Sequence, residues 1–257
     1  MCKVDVIIPV FNGEKTILNA IESVRSQINI RFGKIIIVND GSTDNTYKIL
    51  DKFRKKKDFL IIDTPNKGVS AARNLGLAHA KSEFVAFLDC DDQWSSRKIN
   101  KQLQIAKKKK VNFICCSVSD DNKSRSKFIS TRSLLKGNFI ATSSVLLNNK
   151  KYRRFFPIFD ENVTFAEDYR AWIKLLNYAK GYYIAEKLVD YSLSKKPHYK
   201  FKEALVAIIK LYFYSFKILI LNNRKTFFLN KIIDFIFVVI GLTKSILSII
   251  KRYFNSI

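Results

Sequence analysis

The sequence predicts an α/β protein built on a mostly parallel, doubly wound sheet that is flanked by helices. Two observations predict this class. Unbroken, β-branched apolar runs alternate with stretches of helical periodicity through the first hundred residues, as is typical of parallel strands buried on both faces. Polar and charged residues then follow each run directly, which is where ligands bind in such sheets.

Four strand–helix units in chain order account for this alternation. The predicted strands span residues 4–10, 34–40, 59–63 and 83–89. The predicted helices span residues 15–27, 44–56, 70–80 and 95–110. The pattern then loosens into predicted strands at 113–119 and 141–147, a polar loop at 120–127, and a helix at 167–179.

The charge of the chain is unevenly distributed along its length. The formal net charge is +24 over 257 residues. Residues 1–100 carry 16 basic and 12 acidic side chains, residues 101–194 carry 18 and 8, and residues 195–257 carry 12 and 2. This asymmetry indicates an anionic partner, either nucleic acid or acidic lipid headgroups.

Composition and segment lengths argue against several classes of protein. The four cysteines have no CxxC spacing, which favours reduced cytosolic thiols over a disulfide framework or a zinc site. The chain has only two histidines, so a His-rich metal site is excluded. The first apolar run is too short for a signal peptide, and no uninterrupted run of about 18 apolar residues predicts a spanning helix.

An acidic corner, formed by Asp89, Asp91 and Asp92, follows the fourth predicted strand. Asp89 and Asp91 are two residues apart, so in an extended segment both side chains project to one side. Carboxylates that close repel unless a cation neutralises them. A divalent ion that prefers oxygen ligands, Mg²⁺ or Mn²⁺, fits this pair, whereas Asp92 is interpreted as the N-cap of the next helix.

Other polar residues are expected near the same crevice. Asp40 ends the second strand and can accept a hydrogen bond from a ligand amide or base edge, while Asp44 is interpreted as a helix N-cap. Lys67 and Arg73 would bring cations suited to phosphate oxygens, although Arg73 could equally be an exposed helix residue. Glu167 and Asp168 open a helix, and on their own they indicate only dipole stabilisation.

Several of these segments closely resemble the inverting family 2 glycosyltransferases, which have the GT-A fold. The segments are VIIPVFNGEKTI, IIIVNDGSTDNT, NKGVSAARNLGLAHAKSEFVAFLDCDDQW and FDENVTFAEDYRAWIKLL. The resemblance covers roughly residues 3–192. It implies a GT-A domain at 1–198, with a nucleotide-sugar half at 1–118 and an acceptor half at 119–198.

The resemblance also implies roles for individual residues. Asp168 would be the general base, assisted by Glu167, which changes the interpretation of that pair from structural to catalytic. Asp89-Cys90-Asp91 matches the DXD motif, with Asp91 the main metal ligand and Asp89 beside it. His198 is a further candidate ligand, in a stretch that reads VDYSLSKKPHYK where family members often have Arg-x-His. The implied donor-binding residues are Pro9, Val10, Phe11, Glu14, Asp40, Lys67, Arg73, Asp89 and Cys90.

The resemblance implies transfer of a sugar, with inversion, from a nucleotide sugar to a glycan or lipid-linked acceptor. UDP-sugar and Mn²⁺ or Mg²⁺ are the expected donor and cofactor. Residues 199–257 form a basic segment with two predicted amphipathic helices, at 202–221 and 226–254, which is expected to hold the enzyme at the cytoplasmic face of the inner membrane.

Two other classes stay open from the residues alone. A nucleic-acid-binding protein would use the +24 charge, but the first hundred residues, which hold the motifs, are nearly balanced in charge. A nucleotidyltransferase would also use a metal on an α/β sheet, but the chain lacks an N-terminal glycine-rich phosphate loop. We therefore expect sugar transfer and no nucleic acid.

Overall fold

The computed structural model describes residues 3–120, 125–134, 137–163 and 166–192, together with the isolated residues 209, 213, 242, 243, 246 and 247. His198 lies outside the described residues. The predicted helices of the basic segment also lie outside them, apart from those six positions. None of the helices in the described part of the chain has the length and hydropathy needed to cross a membrane.

An eight-stranded, mostly parallel sheet forms the centre of the protein, which confirms the predicted fold class. Its strands are β1 Val4–Val10, β2 Phe32–Asp40, β3 Phe59–Thr64, β4 Phe84–Phe87, β6 Phe113–Ser117, β7 Lys127–Ile129, β8 Leu146–Asn148 and β9 Gly181–Lys187. Their order is β3-β2-β1-β4-β8-β6-β9-β7. Only β8 and β7 run antiparallel to their neighbours. A separate antiparallel pair joins β5 Gln93–Trp94 to β10 Val189–Asp190.

Helices cover both faces of this sheet. They are α1 Ile17–Arg25, α2 Thr46–Arg54, α3 Val69–His79, α4 Lys98–Lys109, α5 Thr131–Leu134, α6 Asn149–Tyr152 and α7 Glu167–Tyr178. Successive side chains of a strand point to opposite faces, so Ile8 packs in the core with α1 and α4 while Ile7 packs in the core with α3 and α7. Burial on both faces explains why the strands appear as unbroken apolar runs.

The second half of the domain departs from the predicted elements. The predicted strand at 141–147 is instead a 3-10 turn, Thr142–Ser144, followed by the short strand β8. The serine and threonine side chains of this turn are buried, and the Ser144 hydroxyl donates to the Ala141 carbonyl, a local bond that competes with strand pairing. Strands β5, β7, β9 and β10 were not among the predicted elements, and β7 begins within the predicted polar loop.

The loops at the amino ends of the parallel strands are tied together by Asp5. Its buried carboxylate accepts hydrogen bonds from the backbone amides of Lys34, Lys81 and Ser82, and from the Ser82 hydroxyl, all at 2.7 Å. A side chain at Gly33 would collide with this cluster, since a Cβ there would lie 2.3 Å from Asp5 Oδ1. We call this end of the sheet the base, comprising residues 29–34, 55–58, 80–83, 107–112, 149–154 and 178–180.

Candidate active site

A buried arginine joins the acidic corner to the acidic pair that opens α7. Arg73, on α3, donates from Nη2 to Asp89 Oδ1 at 2.8 Å and from Nη1 to Glu167 Oε1 at 3.0 Å. Its side chain is only 4% exposed, which excludes the exposed-helix interpretation. Two carboxylates 78 residues apart in sequence, one just after β4 and one opening α7, are therefore held by one guanidinium.

The electrostatics of this cluster follow from burial and from the neighbouring charges. Burial disfavours the charged guanidinium, but the carboxylates of Asp89 and Glu167 outweigh that effect and hold the pKa of Arg73 above its ordinary value. Burial raises the pKa of Asp168 to about 7, and the negative charge of Glu167 adds to that rise. The protonated form of Asp168 is therefore favoured relative to an ordinary aspartate.

The predicted helix that opens with Glu167 and Asp168 is confirmed as α7. Ala166, in left-handed backbone conformation at φ 55°, turns the chain into this helix. The Asp168 carboxylate accepts a hydrogen bond from the amide of Tyr169 at 2.6 Å and from Asn138 Nδ2 at 3.3 Å. Asp168 is thus held at the entrance to the helix, where a positive dipole end favours its ionised form.

The interpretation of Asp92 as the N-cap of the next helix is wrong. Helix α4 is preceded by Arg97 and has no side-chain cap. Asp92 is buried instead, where it accepts hydrogen bonds from the Ser143 hydroxyl and the Ser192 amide, and burial raises its pKa to about 7. The Ser143 hydroxyl also accepts from the Asp89 amide at 2.9 Å, so one serine links two members of the acidic corner.

The two remaining members of the DXD motif differ in exposure. Cys90 packs in the hydrophobic core at 7% exposure, while Asp91 is half-buried. In the part of the chain that the structure describes, no group of three or more His, Cys, Asp or Glu side chains is placed to hold a metal. Two carboxylates, completed by the phosphates of a substrate, are nevertheless a common way to bind Mg²⁺. The residues present thus fit a metal that arrives with its donor.

Asp40 fixes the loop between β3 and α3. Its two carboxylate oxygens accept hydrogen bonds from the backbone amides of Lys67 and Gly68, each at 2.9 Å. Gly68 has φ 91°, a conformation that favours glycine, and it precedes the first residue of α3. Asp40 and Lys67 line a cavity of about 300 Å³ together with Asn74 and Glu161. The predicted contacts of Asp40, Lys67 and Arg73 with a donor stay predictions.

The segment after β1 presents one aromatic side chain to solvent. Pro9 and Val10 are buried within the strand, so a ligand would meet their backbone, whereas Phe11 is 49% exposed. Glu14 accepts hydrogen bonds from the backbone and the side chain of Asn45. Asp44 accepts from the amide of Thr46, as expected near a helix start, although Asn45 is the residue at the cap position.

Three site residues were not predicted from the sequence. Ser143 and Asn138 lie in segments whose spacing carries no readable signal. Tyr191 follows β10, and burial together with the charges of Asp89 and Asp92 raises the pKa of its hydroxyl to about 12. Its neighbourhood shows that the chain returns to the acidic corner after β10.

The model of the family described as "Glycosyl transferase family 2" matches residues 5–174. This chain is a family 2 glycosyltransferase. Among similar proteins, the Escherichia coli protein named UDP-Glc:alpha-D-GlcNAc-diphosphoundecaprenol beta-1,3-glucosyltransferase WfaP is 33% identical over 182 residues, covering 68% of this chain and 70% of that protein. The Bacillus subtilis protein named putative teichuronic acid biosynthesis glycosyltransferase TuaG is 31% identical over 204 residues, covering 74% and 79%.

Solved glycosyltransferase structures share the GT-A fold of this family member. S. aureus TarS 1–349 in complex with UDP superposes with a TM-score of 0.72 at 18% identity, covering 93% of this chain and 70% of that chain. The Pyrobaculum calidifontis mannosyltransferase PcManGT, in complex with GDP-Man and Mn²⁺, gives 0.71 at 15% identity, covering 98% and 74%. A longer TarS chain is covered over 42% of its length.

Proposed function

We propose that this glycosyltransferase transfers a sugar from a UDP-sugar to a hydroxyl of a lipid-linked glycan, with inversion, in the synthesis of a bacterial surface polysaccharide. The observation that supports this most directly is the joining of the acidic corner to the acidic pair of α7 through Arg73. One carboxylate cluster is suited to a cation and a diphosphate, and the other holds a carboxyl group poised near neutral pH.

The donor would be held beyond the carboxyl ends of β1, β2 and β4. Phe11 offers an exposed ring for a base, and Asp40 and Lys67 line the adjoining cavity. Asp91 and Asp89 would hold Mn²⁺ or Mg²⁺ together with the diphosphate of the donor. When bound, the metal supplies Lewis-acid stabilisation of the charge on the departing diphosphate. The structure of a mannosyltransferase with GDP-Man and Mn²⁺ on the same fold makes such a donor–metal pair plausible here.

Asp168 would remove the proton from the acceptor hydroxyl. A general base works best when its pKa lies near the working pH, and burial brings the pKa of Asp168 to about 7. Glu167 is fixed by Arg73, so its role would be to position the acceptor and to keep Asp168 basic through its negative charge. Attack from the side opposite the leaving group would invert the anomeric centre.

The acceptor class rests on the relatives. WfaP is named for an acceptor that is a sugar on diphosphoundecaprenol, and TuaG for the synthesis of teichuronic acid. Both names concern cell-envelope glycans of bacteria. The basic segment 199–257 would place the enzyme at the cytoplasmic face of the inner membrane, where anionic headgroups attract Lys and Arg.

A panel of nucleotide sugars tests this function. The purified full chain is incubated with each donor and with Mn²⁺, Mg²⁺ or EDTA, and the released nucleotide is identified. We expect free UDP from one or two UDP-sugars, with turnover lost in EDTA and in Asp91→Asn. Asp51→Asn, an exposed carboxylate on α2, is the control and should keep full turnover. Release of pyrophosphate would instead indicate nucleotidyl transfer.

A further inference from the structure

The base carries a strong excess of positive charge. Its six segments contain fifteen Lys and Arg side chains and two carboxylates, Asp58 and Glu83. Fourteen of the fifteen side chains are exposed, and Lys109 is half-buried. The runs 55–57, 107–110 and 150–154 supply eleven of them. The acidic corner lies at the opposite end of the sheet.

Hydrogen bonds between the segments make the base one contiguous surface. Asp5 binds the loops at 34 and at 81–82 together. Asn149 donates from its side chain to the carbonyl oxygens of Ala80 and Ser82. The amide of Asn148 donates to the carbonyl of Asn112, and Arg154 lies 3.8 Å above the ring of Tyr178. The cations are therefore held beside one another by the fold.

The positive charges of the base are not neutralised within the described residues. In the described ranges, none of the fifteen side chains forms an ion pair with a carboxylate. Cations in the last turn of a helix stabilise its dipole, which accounts for part of the run 107–110 at the end of α4. That argument does not extend to 150–154, which spans a four-residue helix and a 3-10 turn.

A cavity of about 580 Å³ opens at the same end of the domain. Its lining includes the apolar side chains of Ile30, Phe84, Leu103 and Val111 and the cations Arg31, Lys107 and Lys110. The lining also contains one carboxylate, Glu83, and five Asn or Gln side chains. Ile28, just before the lining segment, is itself 48% exposed. A cavity lined partly by apolar side chains, with three cations against one carboxylate, is complementary to an anionic amphiphile, which has an acidic head and an apolar chain.

We propose that the base docks on an anionic lipid bilayer, and that the cavity takes part of one lipid molecule whose phosphate lies beside Arg31, Lys107 and Lys110. The cations supply long-range attraction to acidic headgroups, and the apolar walls supply a contact that a polynucleotide cannot use. This surface is built from residues other than the basic segment 199–257 and lies at the opposite end of the sheet from the catalytic crevice.

Docking through the base fixes the orientation of the domain. The longest strand, β2, has nine residues and spans roughly 30 Å. The crevice at the carboxyl ends then opens toward the aqueous phase, away from the headgroups.

Co-sedimentation of the full chain with vesicles tests the proposal. The vesicles contain phosphatidylcholine alone or with 30 mol % phosphatidylglycerol, in about 0.15 M salt. We expect binding only to the anionic vesicles, and roughly tenfold weaker binding for Lys107→Glu/Lys110→Glu. The matched control is Lys15→Glu/Lys48→Glu, which makes the same change of net charge at exposed positions outside the base. Binding of this control should stay within about twofold of the wild type.

A second variant distinguishes a loss of binding from misfolding of the first variant. Lys150→Glu/Lys151→Glu alters the base on the other side of Glu83 and should also weaken binding, with thermal unfolding unchanged for both pairs. Equal losses in the base variants and in the control would show that net charge alone drives sedimentation, which would overturn the proposal.

Two competitors show whether the base binds a lipid, a soluble phosphate ester or a polynucleotide. Glycerol 1-phosphate, a headgroup without chains, should not displace the protein from anionic vesicles even at millimolar concentration. If it does, the cavity binds a soluble phosphate ester and the lipid proposal is wrong. A DNA duplex that removes the protein from the vesicles at equal phosphate concentration, and loses this ability in Lys107→Glu/Lys110→Glu, would make the partner a polynucleotide and would overturn the proposal too.

Discussion

At the scale of single residues, the main finding is that the acidic corner already has a cation beside it. Clustered carboxylates at the end of a buried strand require a positive charge. In this protein Arg73 supplies it to Asp89 and at the same time to Glu167. Asp91, like Asp89, is half-buried, so both carboxylates of the motif stay accessible to a metal that comes and goes with the donor.

Replacing Arg73 should show how much free energy the two carboxylates cost when they have no positively charged partner. We expect Arg73→Met to lower the free energy of unfolding by about 3 kcal/mol, because two poorly solvated carboxylates lose their partner. The loss should shrink below about pH 4, where free carboxyl groups are protonated. Urea unfolding at pH 7 and pH 4 measures it.

Arg54→Met is the control for that measurement. Arg54 also joins two carboxylates, Asp51 and Asp63, but at a more exposed site, where its side chain is 27% accessible. Removing this exposed arginine should cost less than about 1 kcal/mol. Equal losses for the two variants would contradict the view that burial makes the Arg73 bridge important.

The role assigned to Asp168 predicts a pH profile. A base must be ionised to accept a proton, so transfer should rise with pH through about 7 and then level off, following the raised pKa of Asp168. Asp168→Asn should reduce transfer roughly a thousandfold and leave binding of UDP unchanged. Initial rates and calorimetric titration with UDP measure the two effects.

The exposed carboxylate of Asp190 provides the comparison for Asp168. Asp190→Asn should leave both transfer and the pH profile as they are, since its side chain is 76% accessible and lies on β10. Normal transfer by Asp168→Asn would show that another group accepts the proton.

The sequence was enough to name candidate titratable residues of the site, but it did not predict which residues they contact. Asp89 and Asp91 stand out because they follow a buried strand, whereas Glu167 and Asp168 are assigned a catalytic role only by the resemblance to family 2 glycosyltransferases. The burial of Arg73 and Asp92 was not foreseen, because it depends on residues distant in sequence. Ser143, which binds Asp92, lies 51 positions away, and no local pattern encodes such a contact.

At the scale of elements, the parallel half of the sheet was predictable and the mixed half was not. Strands β1, β2 and β4 are long or fully buried, so their apolar runs mark them clearly. Strand β3 is mostly half-buried, but it keeps the apolar run FLII. Strand β8 has three residues and the neighbouring turn is held by serine side chains. Neither segment therefore shows the regular pattern of apolar residues from which a strand is predicted. Strand β9 has seven residues, with tyrosines at its start and charged residues at its end, and it was not predicted.

The Asp5 cluster should be one of the most important stabilising contacts between elements. We expect Asp5→Ala to lower the free energy of unfolding by about 3 kcal/mol or more, because the buried amides of Lys34, Lys81 and Ser82 would lose their acceptor. Chemical denaturation measures this change.

The comparison for Asp5 is Asp51→Ala on α2. Asp51 is 65% exposed and pairs only with Arg54, so its loss should cost less than about 1 kcal/mol. If Asp5→Ala proved equally mild, water would have to satisfy those amides in its place.

At the scale of the whole molecule, two raised carboxyl pKa values contribute to the pH dependence of stability. Burial raises the pKa of Asp92 and of Asp168 to about 7, above the ordinary value near 4. The folded state therefore binds more protons than the unfolded state between these limits. The contribution of these groups is fully present below about pH 4 and is lost as the pH rises through 7.

Asp92→Asn should flatten this dependence. We expect the free energy of unfolding of the wild type to fall between pH 5 and pH 8, and the fall to be about half as large in the variant, because Asp168 remains. Urea unfolding at several pH values measures the slope, and Asp190→Asn should retain the wild-type slope. A steeper slope in Asp92→Asn would mean that the carboxyl group is ionised in the folded protein at pH 5.

Ser192, the last residue of the described range 166–192, is hydrogen-bonded to the acidic corner. The amide of Ser192 donates to Asp92, Asp92 accepts from Ser143, and Ser143 accepts from the amide of Asp89. A force that pulls on the chain beyond Ser192 would act on these three hydrogen bonds. If the basic segment anchors the protein and the acidic corner binds the donor, as proposed above, tension on that segment would act on the donor site through these hydrogen bonds.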